Sequence, residues 1–176
     1  IDEIANLSNN RLVWIRFGIR GSETFRRTNI NTSVIDCDPL SEINCNSTSI
    51  AVYDEAIDYA LTKGFKVILG TNVPTWATVY SDPVNWNVIQ YSLDEYKNIT
   101  ANYYQILASR YAGKVGIWQI FNEANIHNFD RYDLDPTPLN STYLGMLNET
   151  IKVARTTIQS IDPAALITTN AGGFPY

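Results

Sequence analysis

The chain has 176 residues, of which 45% are hydrophobic and 18% are charged, and its formal net charge is −5. This length and apolar content allow a domain with a substantial core and exclude a disordered chain. The acidic balance, with no basic run longer than Arg26-Arg27, argues against a nucleic-acid-binding surface. No apolar stretch reaches the roughly 18 residues of a membrane-spanning helix.

The first part of the chain reads as helix, strand, helix and strand. Ile1, Ile4 and Ala5 have the spacing of the last turns of a helix, and an apolar run over residues 12–17 predicts a strand. A stripe of apolar residues from Tyr53 to Leu61 then predicts a helix that ends at Gly64. A second apolar, β-branched run over residues 65–70 predicts the next strand.

The second part repeats this alternation. Ser92 and Glu95 form a capping box ahead of an apolar stripe from Ile99 to Leu107, which predicts a helix. A strand is predicted over residues 115–121. A further amphipathic stripe from Leu144 to Ile161 predicts a helix that ends before Pro163, and a last strand is predicted over residues 165–170. These runs are nearly continuous in hydrophobicity, as in parallel strands covered on both faces.

Alternating helices and strands predict an α/β fold, either a doubly wound sheet or a (β/α)8 TIM barrel. Long polar segments follow the strands at residues 19–49, 71–91 and 124–140, whereas the helix-to-strand connections are short. Elaboration at the carboxyl ends of the strands favours a barrel, and no glycine-rich phosphate loop follows the first strand. Four strands are only half of a barrel, so we expect residues 1–176 to be a partial domain that continues beyond both ends. The remainder of the barrel then comes from the same polypeptide or from another chain.

Asparagine is abundant, with 18 residues, and its sequons predict a secreted glycoprotein. Six Asn-X-Ser/Thr sequons occur, about twice the number that the 18 asparagines and 27 serines and threonines give by chance. We therefore expect N-linked glycans and an extracellular or cell-surface location. The six acceptor residues are Asn6, Asn31, Asn46, Asn98, Asn140 and Asn148.

The two cysteines, Cys37 and Cys45, lie eight positions apart in a polar segment. In a secreted chain they form a small loop disulfide, and in a reducing compartment they are two free thiols. No second Cys or His pair accompanies them, so the sequence predicts no metal site.

The dipeptide Asn122-Glu123 is the clearest sign of chemistry, because it directly follows the predicted strand over residues 115–121. Side chains at the carboxyl ends of parallel strands face whatever binds there. The same dipeptide at Asn148-Glu149 lies inside a predicted helix and inside a sequon, where it is interpreted as a solvated face.

The stretch from Ile117 to Asn125 resembles the clan-A glycoside hydrolases, retaining (β/α)8 glycosidases that include cellulase-type (family 5) and β-xylosidase-type (family 39) enzymes. These families carry Asn-Glu, often followed by Pro-Asn, at the end of the fourth barrel strand. Here Ala124 replaces the usual proline. Weaker matches extend the resemblance over nearly the whole chain, as strands two to five. They are Ile15-Arg16-Phe17, the segment from Tyr53 to Leu69, Pro74-Thr75-Trp76 and Asp162-Pro163.

The resemblance implies a retaining glycosidase acting on a β-linked carbohydrate substrate, without a cofactor. Such enzymes use two carboxyl groups about 5–5.5 Å apart, a general acid/base and a nucleophile. By resemblance Glu123 is the acid/base, Asn122 binds the sugar 2-hydroxyl, and Arg16 supports the catalytic carboxylate. The nucleophile belongs to the seventh strand, outside this chain, so the 176 residues alone are expected to be inactive.

Other residues near strand ends are candidates for substrate binding. Trp76 and Trp86 follow the strand over residues 65–70, and exposed indole rings stack on the apolar faces of sugars. They equally suit packing of a loop on the barrel rim. Asn72, Asn125 and His127 lie at or just past strand ends, although a lone histidine is commonly a surface residue.

Two other functions remain open. The sequons are also compatible with a non-catalytic surface glycoprotein whose glycosidase-like barrel binds glycans or packs into an assembly. A lyase or aldolase would need a lysine or a metal-ligand cluster at the strand ends, and the sequence shows neither.

Overall fold

The computed structural model describes residues 1–7, 12–19, 47–71, 93–122 and 141–169. Within these residues, helices alternate with strands, as the sequence predicts. The elements are α1 Asp2–Leu7, β1 Trp14–Ile19, α2 Ser47–Thr62, β2 Lys66–Thr71, α3 Leu93–Tyr111, β3 Ile117–Phe121, α4 Ser141–Ile161 and β4 Leu166–Thr169.

The four described strands form one parallel sheet in the order β1-β2-β3-β4. Each strand therefore lies beside the next one in the chain, with a helix between them. In a doubly wound sheet the order of the strands reverses after the first strands, whereas in a barrel each new strand is added on the same side of the one before it. The consecutive order is that of half of a (β/α)8 barrel.

One face of the sheet is covered by the helices and forms the core. Successive residues of a strand point to opposite faces, and Val67, Leu69, Trp118 and Ile120 all lie on the covered face. Each is at most 1% exposed. The predicted helical stripes supply the other side of this core, with Ile57, Ala60, Ile99, Tyr103, Leu107, Ala154 and Ile158 fully buried.

The opposite face of the sheet is open among the described residues. Trp14 is 40% exposed and Leu166 is 60% exposed, although both are large apolar residues. The ring of Trp14 reaches Gly116, where an added Cβ would lie 3.1 Å from the indole. Lys66 and Arg16 are exposed on the same face. In a closed barrel this face forms the interior.

The helix-to-strand connections are short turns because glycine ends two of the helices. Gly64 has φ 78° and Gly113 has φ 71°, the left-handed conformation typical of the residue that follows a helix. The prediction that Gly64 ends its helix is confirmed. The Gly113 amide also donates to Asp162 Oδ2 at 2.9 Å, which joins two of these connections at the amino-terminal side of the sheet.

Ion pairs join neighbouring helices on the outer surface. Arg110 of α3 makes two hydrogen bonds with the Asp54 carboxylate of α2, one of them from Nε at 2.8 Å. Further along, Lys97 of α3 lies 3.2 Å from Glu149 of α4. These contacts hold the helices in the same order as the strands they cover.

In the described part of the chain, no helix is both long and apolar enough to cross a membrane. The same residues contain no group of three His, Cys, Asp or Glu side chains arranged to hold a metal ion.

Candidate active site

The candidate site lies at the carboxyl edge of the sheet, where β3 ends and Asn122 follows. Arg16 reaches this edge from β1, two strands away. Its Nε donates to Gln119 Oε1 at 2.7 Å, and its Nη2 donates to Asn122 Oδ1 at 2.8 Å. The structure therefore brings together Arg16 and Asn122, two residues that the sequence places 106 positions apart.

Gln119 joins the other members of the site. Its side-chain Nε2 donates to the Phe121 carbonyl at 2.9 Å and to Asn122 Oδ1 at 3.4 Å. Gln119 is only 6% exposed, so this amide is a buried polar group whose hydrogen bonds are internal. Since arginine only donates hydrogen bonds, the Asn122 atom facing Arg16 is the oxygen, and the Asn122 Nδ2 is the donor side of its amide.

Gly70 lets Arg16 pass over the middle strand. Gly70 pairs in register with Gly18 of β1 and with Gln119 of β3, so it lies directly between them. An added Cβ at position 70 would lie 2.9 Å from Arg16 Nη2 and 3.3 Å from its Cζ. We call Arg16, Gly70, Gln119 and Asn122 the strand-end cluster.

The end of β3 is irregular. Gln119 pairs with Thr168 of β4, but Phe121 pairs with Thr169, so two steps along β3 match one step along β4. Such a bulge bends the strand and changes the direction of the side chains beyond it, and bulges are frequent beside active sites. Here the residue beyond it is Asn122.

The second Asn-Glu dipeptide has a different environment. Asn148 is exposed on α4, and Glu149 binds Lys152 at 2.9 Å and Lys97 at 3.2 Å. Hydrogen bonds from these two lysines hold the pKa of Glu149 below its ordinary value. Glu149 is thus an ionised member of a surface ion-pair network.

Most of the other predicted site residues lie outside the described part of the chain. Of the sequon asparagines inside it, Asn6 lies in α1, while Asn98 and Asn148 are exposed on α3 and α4. The residues outside it are Glu123, Asn72, Trp76, Trp86, Asn125, His127, Cys37, Cys45, Asn31, Asn46 and Asn140.

The sequence interpretation missed Gln119 and Gly70. Gln119 interrupts an apolar run between Trp118 and Ile120, and a polar residue inside a buried strand is a signal of a specific hydrogen-bonding role. By resemblance, Arg16 supports the catalytic carboxylate. Its two hydrogen bonds within the described residues go to amide oxygens, and its side chain is exposed.

Comparison with known proteins gives a structural match only. No protein family profile and no curated protein sequence matches the chain. A β-glycosidase from the hyperthermophile Thermosphaera aggregans is 17% identical, and the match covers 94% of this chain and 41% of that protein with a TM-score of 0.64.

Two endoglucanases give similar matches. One, from Thermotoga maritima, is 19% identical, with 98% of this chain and 46% of that protein covered and a TM-score of 0.56. The other, a broad-specificity endoglucanase from Clostridium acetobutylicum, is 15% identical, with 89% and 42% covered and a TM-score of 0.57. These matches show the fold of a partial (β/α)8 barrel. The chain spans less than half the length of these structures, and at such identities the likeness shows the fold alone.

Proposed function

We propose that this chain is part of a retaining glycoside hydrolase that acts on β-linked oligosaccharides or polysaccharides. One observation carries the proposal: Arg16 and Asn122 are hydrogen-bonded into one cluster at the carboxyl edge of the sheet, immediately before Glu123. The carboxyl edge of the strands is where barrel enzymes hold their active sites. The structural likeness to β-glycosidases and endoglucanases supports the same reaction class.

In this proposal Glu123 is the general acid/base. It protonates the glycosidic oxygen as the bond to the sugar breaks, and then takes a proton from the water that attacks the glycosyl-enzyme intermediate. Asn122 binds the sugar 2-hydroxyl, a contact that strengthens in the transition state. Arg16 orients Asn122 by the 2.8 Å hydrogen bond and adds a positive charge at the edge where the second carboxylate is expected.

The remaining substrate contacts are proposed from sequence position. Asn72, Trp76, Trp86, Asn125 and His127 follow β2 or β3 and are assigned to the sugar-binding cleft. The nucleophile lies outside this chain, on the remainder of the barrel. The 176 residues alone are therefore expected to bind substrate weakly and to lack turnover.

We also propose that the protein is an extracellular glycoprotein with a Cys37–Cys45 disulfide. The exposure of Asn98 and Asn148 on the outer helices supports glycan attachment there, because an exposed asparagine is accessible to modification. The same exposure also favours the second candidate, a non-catalytic surface glycoprotein with a glycosidase-like barrel.

Product stereochemistry in the intact protein tests the proposed reaction and separates the two candidates. A panel of aryl β-glycosides is hydrolysed in an NMR tube, and the anomeric proton of the first sugar released is recorded before mutarotation. A retaining mechanism predicts the β anomer first, because two displacements at the same carbon restore its configuration. Initial release of the α anomer would contradict the retaining mechanism, and absence of release across the panel would favour the non-catalytic glycoprotein.

A further inference from the structure

We infer that Gln119 is a positioning residue, which holds Arg16 and Asn122 in one arrangement at the end of β3; the inference rests on the proposed function of that site. Gln119 is almost fully buried in a strand whose neighbours Trp118 and Ile120 are apolar. Burying an amide costs free energy unless its hydrogen bonds are satisfied. A side chain of this kind is explained by what it binds rather than by packing.

The two ends of the Gln119 amide bind different parts of the cluster. Its oxygen accepts from Arg16 Nε at 2.7 Å, which fixes the plane of the guanidinium group. Its nitrogen donates at 2.9 Å to the carbonyl of Phe121, the last residue of the strand. The same nitrogen donates to Asn122 Oδ1 at 3.4 Å. Gln119 thus connects the cation from β1 to the backbone on the far side of the bulge.

The bulge makes such a connection necessary. Between Gln119 and Phe121 the pairing with β4 slips by one residue, so the regular ladder does not by itself set the direction of the chain beyond Phe121. The Gln119 amide bridges this irregular segment. Asn122 is oriented by both Arg16 and Gln119, and Glu123 is the next residue along the backbone.

Gly70 is the second requirement of this arrangement. Arg16 must cross β2 to reach Gln119, and any side chain at position 70 would occupy its path, since an added Cβ comes within 2.9 Å of Nη2. Gly70 also lacks a positive φ, so its backbone conformation is open to other residues. Space for Arg16 is the reason for a glycine at this position.

The test uses three variants of the intact protein: Gln119→Met, Gln119→Glu and Gly70→Ala. Methionine keeps the length of glutamine and removes the hydrogen bonds of its amide. Glutamate keeps the oxygen that Arg16 needs and loses the donor to the Phe121 carbonyl, so it separates the roles of the two ends of the amide. Gln105→Met, at an exposed position of α3, is the matched control.

Hydrogen exchange at Arg16 Nε, followed by NMR, is the readout that does not depend on activity. We expect Gln119→Met and Gly70→Ala each to speed this exchange at least about tenfold. Gln119→Met removes the acceptor of the Arg16 Nε hydrogen bond, and Gly70→Ala pushes the Arg16 side chain away from that acceptor. Gln119→Glu and Gln105→Met should remain within about threefold of wild type, a margin that a retained hydrogen bond allows.

Kinetics on an aryl β-glycoside give the second readout. Misplacement of a catalytic group by about 1 Å can cost on the order of 100-fold in rate. Gln119→Met and Gly70→Ala should therefore lower kcat about ten- to 100-fold with little change in KM. Gln119→Glu, which keeps the contact with Arg16 but not the one with the Phe121 carbonyl, should have a kcat between those of Gln119→Met and wild type.

The two readouts separate this inference from the proposed function. If Arg16 Nε exchange is unchanged in both Gln119→Met and Gly70→Ala, the positioning role is wrong, whether or not the protein hydrolyses glycosides. If exchange rises but wild type has no hydrolytic activity, the positioning role stands and the proposed function fails. If exchange rises while kcat stays at the wild-type value, Gln119 holds Arg16 but does not position the catalytic groups, and the inference is overturned.

Discussion

The two Asn-Glu dipeptides show how the surroundings of a residue decide its chemistry. Asn122 and Asn148 are each followed by glutamate, yet Asn122 Oδ1 accepts a hydrogen bond from a guanidinium group and Asn148 lies exposed on a helix. An amide held by a cation has a fixed direction, and a fixed donor is what recognition of a sugar hydroxyl requires. This difference is why we assign Asn122, and not Asn148, to sugar binding in the proposed function.

Removal of the Asn122 amide should lower kcat/KM most for substrates that carry a 2-hydroxyl. Asn122→Ala is expected to lower kcat/KM on an aryl β-glycoside about 100-fold or more, because the contact to this hydroxyl supplies several kcal/mol in the transition state. On the matching 2-deoxy glycoside the loss should be about tenfold or less. This substrate lacks the 2-hydroxyl, so neither wild type nor Asn122→Ala can make the contact.

Asn148→Ala is the matched control, with the same substitution in the same dipeptide, and should leave both rates at the wild-type value. An equal loss on the two substrates in Asn122→Ala would show that Asn122 does not contact the 2-hydroxyl.

At the scale of the elements, the helices are tied together by charge as well as by the core. Arg110 and Asp54 join α3 to α2, with side chains 27% and 28% exposed. Partial burial disfavours the ionised form of Asp54 and so raises its pKa. Hydrogen bonds from Arg110 and the nearby positive charges outweigh this effect and hold the pKa of Asp54 below its ordinary value. The ionised carboxylate is therefore favoured by folding.

This pKa shift predicts how stability depends on pH. Because the folded pKa of Asp54 is lower than the unfolded value of about 3.9, its contribution is complete above about pH 4 to 5 and is lost as the pH falls through the folded value. Asp54→Asn should lower the free energy of unfolding by about 1 kcal/mol at pH 7, and the difference from wild type should shrink towards zero in acid. Denaturant titrations at several pH values measure it.

Asp58→Asn is the control, because Asp58 forms a solvent-exposed pair with Lys114 at 2.6 Å. It should stay close to wild type at every pH. A pH-independent difference between wild type and Asp54→Asn would show that the substitution acts through packing rather than through the carboxylate charge.

Much of this element structure could be predicted from the sequence, since it depends on local patterns. The apolar runs locate all four described strands to within one or two residues, and Gly64 ends α2 as expected. The helix predicted from the stripe starting at Leu144 begins earlier, at Ser141, because polar residues in a first helical turn carry no apolar signal.

The strand-end cluster could not be predicted as a unit. Arg16 and Asn122 were selected separately, but the role of Gln119 and Gly70 depends on which strands are neighbours and on their register. Strand order and the bulge at the end of β3 are tertiary features, and a single sequence has no local pattern for a side chain that crosses a neighbouring strand.

At the scale of the whole molecule, one face of the sheet is open among the described residues. Trp14 and Leu166 are large apolar residues left exposed on this face, and Arg16 and Lys66 place two positive charges there. A barrel interior is filled by side chains from all of its strands. If further strands close the barrel, we expect them to cover these apolar residues and to bring carboxylates towards the two cations, one of them the proposed nucleophile.

The most direct test of the central claim is the turnover of the intact protein after substitution of each of the two Asn-Glu glutamates. If Glu123 is the general acid/base, Glu123→Gln should lower kcat/KM at least about 100-fold, with the greatest loss on aryl β-glycosides whose leaving groups most need protonation. Glu149→Gln, the same change on the surface of α4, should leave turnover within about twofold of wild type, because Glu149 pairs with surface lysines whose contribution to stability is small. Unchanged turnover in Glu123→Gln, or an equal loss in Glu149→Gln, would contradict the assignment.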